Sequence, residues 1–116
     1  MKTVPIVQIG NLSTTNTPKL RVAIVAESFL PHVNGVTNSV LRTIEYLTRN
    51  GHEVVVIAPG PGSDTEAGVP VVRMSSFGFP GYEELRISRP QKALEAAIRA
   101  INPDVILLAD ALYGVT

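Results

Sequence analysis

Between Leu20 and Thr37 the chain reads LRVAIVAESFLPHVNGVT, and the order of residue types there is one that can hold an anion. An apolar run, Val22 to Ala26, meets Pro31 and then Gly35, and a helix-like pattern begins immediately afterwards. A buried strand that ends in a glycine-containing loop and reopens as a helix turns several backbone N–H groups toward one spot. The helix dipole makes that spot attractive to a phosphate or carboxylate. Glycine lets the anion approach because no Cβ stands in the way, although the same residue also serves a tight turn that binds nothing.

The other chemistry-bearing residues form weaker patterns. PGPGSDTEAG contains Gly60 and Gly62 but lacks the third glycine of a dinucleotide fingerprint. Asp64 and Glu66 have no partner at metal-ligand spacing and read as solvated, while His52, between Gly51 and a strand, reads as structural. The chain has 0 cysteines, which excludes disulfides, thiolate nucleophiles and thiolate metal sites and agrees with a cytoplasmic setting. Lys plus Arg and Asp plus Glu are each 10, so the basic footprint of a nucleic-acid binder is missing. No apolar run approaches the roughly 20 residues that span a bilayer. The opening MKTVPIVQIGNLSTT, with one Lys and interrupted by Pro5 and Gln8, is a poor signal peptide.

The elements that must position the loop follow from periodicity. Residues 1–19 read as a flexible lead-in, with a short strand at Val4–Ile9 as the alternative, and the folded unit is expected over 20–116. Strands are expected at Arg21–Ala26, Glu53–Ala58, Val69–Met74 and Val105–Ala109. A first helix is expected from about Asn38 to Asn50, capped by Thr37 or Asn38 and ended by Gly51. Its apolar stripe is Val40, Leu41, Ile44 and Leu47. A second helix runs from Pro90 to Ile101 with the stripe Leu94, Ile98 and Ile101. Ser75–Ser88, with Phe77, Phe79 and Tyr82, has no period and reads as a long ordered loop.

The order β-α-β-β-α-β defines an α/β protein with a doubly wound, Rossmann-like parallel sheet, its four strands ordered 3-2-1-4. In such a sheet the crevice opens at the carboxyl ends of the first and fourth strands. The Gly35 loop and the tail Asp110–Thr116 both fall there. On this ordering VILLA, the fourth strand, is an edge without the charge, proline or bulge that edges carry. Two explanations fit: the chain is part of a larger domain, or strand four drives self-association.

ESFLPHVNGVTNSVLRTIEYLTRNGHEVVVIAPG, FPGYEELRIS and NPDVILLADALYG together resemble the amino-terminal domain of retaining glycosyltransferases of the GT-B fold, in particular the GDP-mannose-dependent α-mannosyltransferases of lipid acceptors. The resemblance covers about Leu20 to Gly114. It implies an incomplete acceptor-side domain that faces a carboxyl-terminal domain binding the sugar nucleotide. It further implies that Gly35 and Val36 present amides to the diphosphate of GDP-mannose or another nucleoside-diphosphate sugar, with Asn34 shaping their loop. His32, Glu27 and Ser28 would face the sugar or the acceptor, a lipid or sugar hydroxyl, and Tyr82 and Arg86 would lie near the acceptor pocket. No cofactor or metal is implied, because amides and basic side chains take the metal's place. A lipid acceptor would also imply peripheral contact with the inner face of the plasma membrane, where Arg42 and Arg49 on the first helix would be available. Leu107 stands where the family commonly has a histidine, and Asp110-Ala111 replace Ser-Pro. Without the donor-side domain the chain is expected to be inactive alone. The alternative is a stand-alone module that binds a nucleotide or phosphosugar in the same crevice.

Overall fold

RVAIVA, EVVVIAP and VILLA are apolar at successive positions, so each must be covered on both faces, and each becomes a central parallel strand. They are β2 (Arg21–Ala26), β3 (Glu53–Pro59) and β6 (Val105–Ala109) of a computed structural model that describes residues 4–8, 19–74 and 92–109. With β1 (Ile6–Gln8), β4 (Thr65–Glu66) and β5 (Val69–Met74) they form a six-stranded sheet in the order β1-β6-β2-β3-β5-β4. Every pairing is parallel except β4 with β5. The register sets Val22 between Val54 and Val105. The four strands expected from sequence therefore lie in the expected order, with the reversal between β2 and β6.

Helices α1 (Gly35–Arg49) and α2 (Lys92–Ile101) cover opposite faces. Alternate strand residues sort the core in two. Val40, Ile44 and Leu47 of α1 pack with Val22, Ile24, Val56 and Leu107, while Leu94 of α2 packs with Ala23, Val25, Ile57, Ile106 and Leu108. This is the period-2 signature of a doubly wound sheet.

Three expectations change. The fourth core strand is not an edge: Ile6 pairs with Ile106 and Gln8 with Leu108, and the Ile106 N–H donates to the Pro5 carbonyl at 2.9 Å. Val7 packs on the α1-side core and Val4 on the α2-side core, so these apolar positions draw the segment onto the sheet and residues 4–8 are no flexible lead-in. Self-association through strand four loses its premise, since β6 has a neighbour on each side. Second, α1 begins at Gly35 rather than Asn38, because Asn34 makes the cap ahead of Thr37. Third, β4 was not expected. It forms through a two-residue turn at Ala67-Gly68, both with positive φ (51° and 79°), the twist that closes a tight hairpin. Gly51, at φ 85°, is the left-handed residue expected past the end of α1. Pro90 and the segment 75–91 lie outside the described residues.

Candidate functional site

The loop from Glu27 to Asn34 leaves β2 where the strand order reverses, and its own hydrogen bonds close it. Asn34 does this from both ends of its amide: Oδ1 accepts the Thr37 N–H at 2.9 Å, and Nδ2 donates to Ser28 Oγ at 2.8 Å. One bond caps the helix and the other ties the loop's exit to its entrance. Within the loop the His32 N–H donates to the Phe29 carbonyl at 3.0 Å, and Thr37 Oγ1 donates to the His32 carbonyl at 2.7 Å. Glu27 anchors the entrance by donating its N–H to the Ala109 carbonyl of β6 at 3.1 Å.

The cap satisfies the Thr37 amide and the Asn38 N–H reaches the Asn34 carbonyl, so the amides of Gly35 and Val36 are the ones the helix start leaves over. They differ in setting. Gly35 is exposed, and a Cβ built on it would meet nothing within 4 Å. Val36 is buried, with 3% exposure and its side chain in the core. Gly35 is thus the open donor, and Val36 pins the first turn to the sheet. The first turn holds no acidic side chain, so nothing within α1 neutralises its positive end. His32 and Asn34 are exposed beside it, Ser28 is half-buried, and Glu27 brings a carboxylate to the mouth between β2 and β6. The structure gathers Glu27, Ser28, His32, Asn34 and Gly35 on one loop, whereas Tyr82, Arg86 and Asp110–Thr116 lie outside the described residues.

Sequence reasoning missed Arg73. It is the penultimate residue of β5, and its side chain, 12% exposed, donates to the carbonyls of Leu30, Pro59 and Ser63. A single arginine in the otherwise apolar run VVRM was the available signal. Glu66, expected to be solvated, sits 3.8 Å from this guanidinium with a side chain 24% exposed. His52 behaves as expected of a structural residue, buried and accepting the Leu20 N–H on Nδ1 at 3.0 Å. It lines a polar groove of about 410 Å³ with Lys19, Arg21, Glu53 and Asp104, at the amino ends of the strands and so at the opposite edge of the sheet from Gly35. Among the described residues no three His, Cys, Asp or Glu side chains cluster as metal ligands, and no helix is long and apolar enough to cross a membrane.

Comparison with known proteins shows which family the chain resembles. The GDP-mannose-dependent alpha-mannosyltransferase of Mycolicibacterium smegmatis is 50% identical over 102 residues, covering 82% of this chain and 27% of that protein. The enzyme of the same name from Corynebacterium glutamicum is 48% identical over 95 residues, 78% of this chain and 23% of its own length. Alpha-monoglucosyldiacylglycerol synthase of Acholeplasma laidlawii is 39% identical over 62 residues, 53% of the chain and 16% of that protein. The chain thus spans about a quarter of the length of the mannosyltransferases it matches. No solved structure matches it. Residues 33–116, which begin within the capped loop and run through β6, match the family described as Glycosyltransferase Family 4, and the chain belongs to that family.

Proposed function

We propose that the chain is the acceptor-side part of a retaining hexosyltransferase, and that its β2–α1 loop holds the diphosphate of a nucleoside-diphosphate sugar, with GDP-mannose the first candidate. The observation that carries this reading is Gly35: an exposed residue at the positive end of a fifteen-residue helix, where a Cβ would meet nothing within 4 Å beyond its chain neighbours and its own helix backbone. A Cβ would not clash there and the backbone is not in the left-handed region, and glycine leaves the amide open to an approaching anion.

In the reaction the bond between the sugar's anomeric carbon and the diphosphate oxygen breaks, the acceptor hydroxyl oxygen bonds to that carbon on the same face, and the hydroxyl proton passes to the departing diphosphate. Negative charge gathers on the departing diphosphate. A fixed N–H within about 3 Å of it stabilises the transition state more than the ground state, and loss of one such donor typically costs about 3–4 kcal/mol. The Gly35 amide takes this role, with Val36 holding the first turn in place and Asn34 keeping the loop closed. On this reading His32, Glu27 and Ser28, on the same loop, face the sugar or the acceptor. The acceptor is a lipid or sugar hydroxyl, and a lipid acceptor would bring the protein to a membrane surface. On this reading the remaining wall of the donor site belongs to a second, carboxyl-terminal domain. No metal is needed, since the amide and the helix dipole meet the charge.

Purified chain, given GDP-mannose and an acceptor mixture, should release no GDP above background. The same chain joined to the remaining part of the Mycolicibacterium smegmatis relative should release GDP, and should do so with EDTA present. Turnover by the chain alone, or a joined protein that folds but is inactive with every acceptor fraction, contradicts the proposal.

A further inference from the structure

We propose that Arg73 is the positioning residue that holds the β2–α1 loop in its ligand-binding shape, an inference that rests on the reading of that loop as a diphosphate site. In the sheet, β5 is separated from β2 by β3, yet the Arg73 side chain reaches across to the loop. Nη2 donates to the Leu30 carbonyl at 2.7 Å, Nη1 to the Pro59 carbonyl at 3.2 Å, and Nε to the Ser63 carbonyl at 2.8 Å. One cation thereby joins three segments: the loop after β2, the last residue of β3, and the turn that leads to β4.

The chemistry suits arginine and no other side chain. Its planar fork offers donors in several fixed directions, whereas lysine supplies a single point of charge. The guanidinium carbon also lies 5.9 Å from the centroid of the buried Phe29 ring, within reach of a cation–π attraction. Glu66, at 3.8 Å, balances the charge without taking the place of the carbonyls. Gly62 makes room for the clamp, because a Cβ on it would lie 2.3 Å from the guanidinium carbon.

These contacts set one end of the site. Arg73 holds the Leu30 carbonyl beside the core-packed Phe29, and α1 holds Val36 and Thr37 through the core. His32, Asn34 and Gly35 hang between these two anchors, held by the bonds from His32 to Phe29 and from Thr37 to His32. With the Arg73 contact gone, the Leu30 carbonyl loses its partner, and the loop's entrance keeps only the Glu27 bond to Ala109 and the packing of Phe29, both ahead of Leu30.

Two variants test this on the chain itself. Arg73→Lys keeps the charge and removes the fork, and Gly62→Ala pushes the guanidinium aside without touching its chemistry. Amide hydrogen exchange in the ligand-free chain should speed up by about tenfold or more at His32 and Thr37 in both variants, with Leu107 of β6 changed by less than about twofold. Affinity for inorganic pyrophosphate, followed at the Gly35 amide, should fall by about tenfold, equivalent to about 1.4 kcal/mol. A Glu66→Gln control should leave the loop's exchange unchanged. Failure of the unaltered chain to bind pyrophosphate would count against the diphosphate site. Binding by the unaltered chain that both variants match, or exchange that rises equally at Leu107 and His32, would overturn the positioning role of Arg73.

Discussion

Replacing Gly35 with valine separates a ligand role from a folding role, because the two respond in opposite ways. The built Cβ meets nothing within 4 Å, and Gly35 is not among the residues in the left-handed region. A side chain there should therefore neither clash nor strain the backbone. Valine is slightly more favourable than glycine within a helix, so stability should stay within about 0.5 kcal/mol of the parent, or roughly 2–4 °C in melting temperature. The effect on an anion should be large. An oxygen held about 3 Å from the Gly35 nitrogen competes for space with the new methyl groups, and losing one oxyanion donor lowers turnover by about a hundred- to a thousandfold. The assay is GDP release by the joined two-domain protein, with thermal melting of the same variant and Gly35→Ala as the smaller step. Turnover within about threefold of the parent with unchanged melting would refute the diphosphate role, since that loss is less than about 0.7 kcal/mol. A pronounced drop in melting would show instead that the fold needs glycine at this position.

Other positions give further tests. Asn34→Ala removes the cap of α1 and its bond to Ser28, and should cost about 1 kcal/mol in denaturant unfolding. Asn34→Asp keeps a capping oxygen, so it should restore most of that stability while weakening anion binding by its charge. Leu107 is fully buried between β1 and β2, so Leu107→Ala should cost about 2–5 kcal/mol and Leu107→Lys should prevent folding rather than improve solubility. Removing residues 1–8 strips β1 from β6 and exposes an apolar edge, and sedimentation should then show association that the whole chain lacks.

The central strands were legible because VAIVA, VVVIA and VILLA leave no polar face, and β-α-β connectivity then allows little choice of order. The strand-to-helix loop was legible because Pro31 and Gly35 follow an apolar strand just before a helical stripe. What escaped was set by contacts distant in sequence. Val4, Ile6 and Val7 supported a strand only as the alternative to a flexible lead-in, because the β6 edge that pairs with them lies about a hundred residues away. Thr37 and Asn38 were the expected caps, and the cap is Asn34, which also reaches Ser28 across the loop. Arg73 looked like an ordinary charge in an apolar strand, because its partners Leu30, Pro59 and Ser63 offer backbone carbonyls that no pattern of side chains reveals.

The most direct test of the account is a titration of the isotopically labelled chain with GDP, following each backbone amide. If the loop supplies one side of a donor site, as proposed, binding should saturate with a dissociation constant on the order of millimolar, about 4 kcal/mol. The Gly35 amide should show the largest shift, with His32 and Asn34 following the same curve. Amides at the amino ends of the strands, such as Leu20 and Glu53, should stay still. A titration that leaves Gly35 unmoved, or that shifts Leu20 and Glu53 instead, would contradict the claim that the capped start of α1 receives the diphosphate.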